Sequence, residues 1–422
     1  MKIRALLFIA IQAITYQNTY SYAPNHFFKP YEIPTFLYEK NRQTMNAGFL
    51  VEGGSSCIGG DPEGRHVGVL QRYEREQSTL GLLKTRTTMA DEATALLNTL
   101  LPDTLTEDDG ALIFDGTYDQ VNVTTWFSWK LPIDNTYGSF ALNTYLPFTY
   151  QAIHNISFTD QTPNTVSSSS ERVKQNITND VPLFLEKYGS ININDKKYGG
   201  LGDITCMLQW HRHFPQIRDH LINVFLHASL GTTIPTGIRR DCNNPFHLEN
   251  GNNGAWGVII KSGIDLGSTH DFHCGLDVDF LGLFFTTNSF RLKTDPTQTS
   301  FFIPEKGIAT LAQGNSWDFG LFGKWDRILK SGFNAGLRYQ FITHNEDELY
   351  PLESQFDFNV VNSNLQLEEW SAHYMMFSAG YDSAVYKDAR VTCNASLFYK
   401  TPIIYKKSIL MHSVGGQIQL RF

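Results

Sequence analysis

The chain has 422 residues, with 34 basic and 42 acidic side chains for a net charge of −8, and only 18% of residues are charged while 13% are aromatic. This balance gives no basic face for nucleic acid, so no nucleic-acid partner is expected. Frequent glycine and phenylalanine, 33 and 30 residues, suit β-structure better than a helical bundle. No apolar run of about 18 residues occurs beyond the N-terminus, which excludes a helical membrane span but not a membrane β-barrel.

Lys2 and Arg4 precede an apolar stretch at 5–14, followed by the small-x-small site Ser21-Tyr22-Ala23. This layout predicts an export signal peptide over 1–23, with cleavage near Ala23. The remainder, 24–422, is expected to form a single domain.

Alternation of apolar and polar residues then predicts about twelve strands, with fourteen the alternative count, at 43–52, 117–131, 138–153, 198–211, 220–233, 254–267, 272–285, 313–326, 332–343, 369–382, 388–399 and 410–422. The last is the clearest. There Val414, Gly416, Ile418, Leu420 and Phe422 share one face, and Ser413, Gln417, Gln419 and Arg421 the other. Connections between the strands run long, short, long, short along the chain. A membrane-spanning antiparallel up-and-down barrel with both termini on one side predicts that alternation, whereas a soluble sandwich gives no reason for it.

Residues 53–116 are the longest connection, expected to be either a plug or a large external loop. Within it Thr88, Asp91, Ala93, Leu96, Leu97, Leu100 and Leu101 have the spacing of a capped amphipathic helix that stops at Pro102. A later loop carries the polar run 165–170, expected to be exposed. Trp256, Trp317 and Trp370 at strand starts, and Trp129, Trp210 and Trp325 near strand ends, are expected in interfacial girdles, while Trp126 sits deeper. Five cysteines with no CxxC pair indicate no disulfide scaffold; Cys57 and Cys242 fall in long loops and their pairing is left open, while Cys206, Cys274 and Cys393 read as small apolar strand residues.

The order Gly199-Gly200-Leu201-Gly202-Asp203, Pro235-Thr236-Gly237 and Gly251-Asn252-Asn253-Gly254-Ala255-Trp256 resembles a motif series of Gram-negative outer-membrane barrels of the meta-pathway phenol degradation group, distantly similar to long-chain fatty acid transporters. The resemblance covers roughly residues 198–267. It implies a barrel in the cell outer membrane acting as a channel for hydrophobic or aromatic solutes. Read physically, these glycines permit bends and close backbone approach, and Asp203 is expected inward or at the rim, its carboxylate solvated or hydrogen-bonded to a neighbouring strand rather than catalytic.

Nucleophile-elbow, phosphate-loop and zinc-protease motifs are missing from the sequence, so no enzyme activity and no cofactor are expected. His211 and His213 share a strand face, a two-ligand spacing without a placed third ligand, and no metal is assigned. The candidate solute path is therefore the inward face. Its charged members are Lys261, Asp265, Asp277, Asp279, Asp318, Lys324, Arg338 and Arg390. Opposed acidic and basic walls there would set a transverse field.

The function expected is passive uptake of small solutes through the outer membrane. The alternatives are a non-conducting surface-binding or adhesion barrel and, ranked last, a barrel-embedded hydrolase. Expected partners are outer-membrane lipids, the small-molecule solute, and barrel-assembly machinery that reads the final strand ending at Phe422.

Overall fold

The structure, a computed structural model, describes residues 44–422 except 85–89, 101–104, 134–137, 165–168, 219, 238, 240–241, 247–249, 269–270, 329–330 and 384–390. The expected signal peptide lies outside the described residues, as does Arg390.

Twelve antiparallel strands close into a barrel. They are β1 (Met45–Ser56), β2 (Ala111–Lys130), β3 (Ser139–Asp160), β4 (Ile204–Pro215), β5 (Leu221–Ile234), β6 (Gly257–Ser268), β7 (Phe272–Leu283), β8 (Ser316–Trp325), β9 (Phe333–His344), β10 (Trp370–Asp382), β11 (Thr392–Lys406) and β12 (His412–Arg421). Each pairs with the next, and β12 returns to β1 from Asn46↔Arg421 to Ser55↔His412. The seam is sealed where the Phe422 amide donates to the Met45 carbonyl at 3.0 Å. Closure gives each of the twelve barrel strands a partner on both sides, as a spanning sheet requires.

The twelve expected strands are all present, but β2 starts six residues before its expected end at 117, β3 and β11 run seven residues past theirs at 153 and 399, and one expected strand is divided. The expected strand 198–211 is two elements, because Lys196–Leu201 pairs with the upper part of β3 before Gly202 and Asp203 break the ladder and β4 begins. That short strand and Glu76–Ser78 on β2 bring the connected sheet to fourteen. Alternation explains the barrel's two faces. On β12, Val414, Ile418 and Leu420 are exposed outward while Ser413, Gln417 and Gln419 are buried inward; water is absent from the lipid side, so the polar groups find partners within the barrel.

Trp129, Trp256, Trp317 and Trp325 are exposed on the outer surface, as girdle residues should be. Trp370 departs from the expectation. It is only 4% exposed, faces inward with Ala372 and Tyr374, and stacks on His344. Its partner across the ladder is inward, so the pleat leaves it no other face. Trp126, 3% exposed, is also inside.

The long connections meet over one end of the barrel and share an apolar core. It joins Val69, Leu70, Leu82 and Leu83 to Phe184 and Leu185, to Phe246, Phe301 and Phe302, and to Ile409 and Met411, resting on Leu112, Phe114 and Tyr118 of β2. The helix Ala90–Thr99 forms within the expected span and buries Ala93 against this core, as does Leu100 just after it; Thr88, Leu101 and Pro102 lie outside the described residues. Two further helices, Ser169–Asn176 and Val181–Gly189, come from the loop expected to be exposed: Ser169 and Ser170 are buried at a helix start, and residues 165–168 lie outside the described residues. Asp180 caps the second helix by accepting from the Leu183 amide.

A separate three-stranded sheet, Thr286–Arg291, Lys306–Ala312 and Glu348–Pro351, buries Phe290, Leu292, Leu311 and Leu349 beside the first core. Arg291 ties the elements together by donating to the carbonyls of Gly189, Ser190, Cys242, Ile303 and Pro304. Cys57 and Cys242 are free thiols, not a disulfide.

Candidate solute path through the barrel

The barrel interior has two unlike walls. On β6–β9 the strand register sets Lys261 opposite Asp279 and Asp279 opposite Asp318. Lys261 Nζ reaches Asp279 at 3.3 Å, and Gln340 donates to Asp318 at 2.7 Å. One layer nearer the turns, Arg338 pairs with Asp277 at 2.8 Å across the intervening Gly320. A Cβ on Gly320 would stand 1.9 Å from the Asp277 carboxylate and 2.6 Å from the Arg338 guanidinium, so the missing side chain is what lets the pair bridge two strands. At the turn end His273 lies 3.1 Å from Asp265, and Lys324 pairs with Asp326 at 2.6 Å.

Seven of the eight candidate charges thus fall on one wall, and Arg390 lies outside the described residues. Among the described residues, opposed acidic and basic walls do not form. Both signs share β6–β9 because cross-strand neighbours on one face are the nearest available partners, and burying either charge alone would cost several kcal/mol.

The facing wall, from β11 and β12 through β3, is chiefly amides and aromatics. Tyr118 donates to Gln120 at 2.8 Å, which donates to Asn122 at 3.0 Å, a ladder climbing one strand. Asn143 donates to Gln209 at 2.8 Å. Glu52 accepts from Ser413 at 2.5 Å, and the Lys400 ammonium lies 4.5 Å from the Tyr374 ring centre. An apolar layer of Leu50, Trp126 and Phe398, with Tyr145 and Met376 packed on it, projects from this side. Gly48 makes space for it, since a Cβ there would meet the Trp126 ring at 2.4 Å.

Sequence reasoning passed over Glu52, Lys400 and Trp126 as lumen residues, although the signal was present. Each occupies an inward parity position of its strand. His211 is also inward, stacked on Phe225 with ring centres 5.5 Å apart, and His213 Nε2 lies 2.7 Å from Asn223, so the two rings engage different neighbours.

At the loop end, the three glycine motifs converge on Asp203. Its carboxylate accepts from the Gly237 amide at 2.8 Å and from the Asn252 amide at 2.5 Å. Thr236 donates to the Gly202 carbonyl at 2.7 Å, and the Asn250 side chain donates to Thr149 at 3.1 Å. Gly251, at φ +141, has no space for a Cβ beside the carboxylate. Burial pushes the Asp203 pKa up to about 6, against the lowering effect of the amides. The motifs are therefore a structural knot joining the β3–β4, β5 and β6 rims; Asp203 sits at the rim as expected, but it is buried and its partners are loop amides between β5 and β6, not a strand.

No family model matches the chain, and no curated protein matches it. Among solved structures it is similar to an outer-membrane channel from Pseudomonas putida F1, with 12% identity over 93% of this chain and 100% of the other and a TM-score of 0.53. Weaker likenesses, on which no argument rests, include the transport unit of an Escherichia coli autotransporter, at 6% identity over 92% of each chain with a TM-score of 0.36. Another is the Pseudomonas putida toluene transporter, at 8% identity over 96% of this chain and 95% of the other with a TM-score of 0.30. The first likeness shows the fold. The chain shares that structure's closed antiparallel β-barrel fold.

Proposed function

We propose that this protein is an outer-membrane channel for passive uptake of small solutes, hydrophobic or aromatic ones among them. The observation that carries the reading is a closed twelve-strand barrel whose outer face is apolar and whose inner face pairs a charged wall with an amide and aromatic wall. A lipid-facing exterior needs no polar interior for stability alone, and a polar interior favours water and polar groups along the axis. The apolar layer around Trp126 supports passage of aromatic or acyl groups at that depth.

A second reading, a surface-binding barrel that does not conduct, is favoured by the loop core, which gives the external end a folded surface of its own. Reconstitution into liposomes separates the two. Faster influx of small neutral and aromatic solutes than in protein-free vesicles supports the channel; folded barrel with no added flux supports the binding protein.

A further inference from the structure

At the loop end of the β8–β9 wall, on the inward face above Asp318, a serine, a histidine and an aspartate line up. Ser316 opens β8 and His344 closes β9, directly opposite in the register, with Ser316 Oγ 2.8 Å from His344 Nδ1. His344 Nε2 lies 3.0 Å from Asp347 Oδ1 in the connection that follows, and that oxygen also accepts from the Gly314 amide at 2.7 Å. All three are deeply buried, at 2%, 1% and 5% exposure.

We propose that Ser316, His344 and Asp347 form a hydrolytic site acting on esters with small acyl or aryl groups. The proton on Nε2 points to Asp347 and leaves Nδ1 as the acceptor for the serine hydroxyl, so the ring is held in the tautomer a general base needs. The ring presents Nδ1 to the serine, the reverse of the commonest arrangement, but the roles follow from contacts and not from atom names. Apolar side chains flank the pair: Leu281 lies opposite Ser316, Ile342 is two residues before His344 on the same face, and the Trp370 ring stacks on the imidazole. They match an acyl or aryl group.

In the reaction, Ser316 Oγ bonds to the ester carbonyl carbon as His344 Nδ1 takes the hydroxyl proton. The bond from that carbon to the alcohol oxygen then breaks, and the alcohol leaves with the proton. Water attacks the acyl-serine by the same route, releasing the carboxylic acid and restoring the hydroxyl. Asp347 is a positioning residue, holding the ring and favouring the imidazolium.

The test uses the full chain, folded in detergent and checked as a heat-resistant compact barrel, with a small alkyl fluorophosphonate and p-nitrophenyl acetate and butyrate. Mass spectrometry is expected to find one phosphonate on the peptide containing Ser316. Ser316→Ala should lose the adduct, and His344→Gln should lower labelling and ester turnover at least about 100-fold. Asp347→Asn should lower turnover while leaving the barrel compact. Absence of any adduct on folded wild-type protein, or equal labelling in folded Ser316→Ala or His344→Gln, would overturn the proposal. Should these variants fail to fold, the wild-type result decides: an adduct on Ser316 that abolishes ester turnover sustains it, and an adduct elsewhere, or turnover that survives the Ser316 adduct, overturns it.

Discussion

The charged wall of β6–β9 and the loop core above the barrel are both buried, yet they are held by opposite means. The wall is a register of hydrogen-bonded ions, Lys261 with Asp279 and Arg338 with Asp277, whose spacing the strand pleat dictates. The core is apolar side chains from five separate connections, with Phe246, Phe301 and Phe302 and Phe114 of β2 linked by edge or tilted contacts. A wall of paired ions is intolerant of losing one member, whereas an apolar core yields in proportion to the volume removed.

Four changes sharpen that contrast. Phe302→Ala should cost the loop core about 3–5 kcal/mol, because a fully buried ring is lost. Limited proteolysis should then cut the external segments quickly while the barrel stays heat-resistant. Arg338→Met strands a buried carboxylate and should cost about 3–5 kcal/mol in a urea titration of detergent-folded protein, with Asp277→Asn in the same chain restoring most of the loss.

The Asp203 knot is expected to be pH-sensitive. With a folded pKa near 6 against 3.8 unfolded, the folded state binds the extra proton. Its stability contribution is then full below about pH 4, falls as pH rises towards 6, and is flat above; the span is worth about 3 kcal/mol. Hydrogen exchange in residues 250–256 should accelerate from pH 4 to 6 beyond the intrinsic rate change, and Asp203→Asn should remove the excess. Gly320→Ala is the smallest change and should cost about 1–3 kcal/mol, by forcing apart the Asp277–Arg338 pair, read as a lowered urea midpoint.

The same contrast governs how much the sequence revealed. Period-two alternation is written into each strand by the two faces it must satisfy, so residues such as Asp277, Asp279 and Gln419 could be placed inward from their neighbours alone. The partners could not. That Lys261 meets Asp279, and that Ser316 meets His344, depends on register between strands 18 and 28 residues apart. The loop core carries no comparable period, and its external sheet was missed because Phe290 and Leu311 alternate over only six or seven residues. Helix Val181–Gly189 was legible from Asp180, Pro182 and the spacing of Val181, Phe184 and Leu185, but the polar run before it dominated the reading. Trp370 was misplaced because an indole at a strand end suits either face until parity is fixed by the neighbour.

The central claim is that solutes pass through the interior and that the layer around Trp126 narrows the way. Planar-bilayer recording of wild type beside Trp126→Ala tests it most directly. The account predicts discrete conductance steps for wild type and larger steps for the variant, both as folded barrels. Folded protein that passes no current in either form would contradict it.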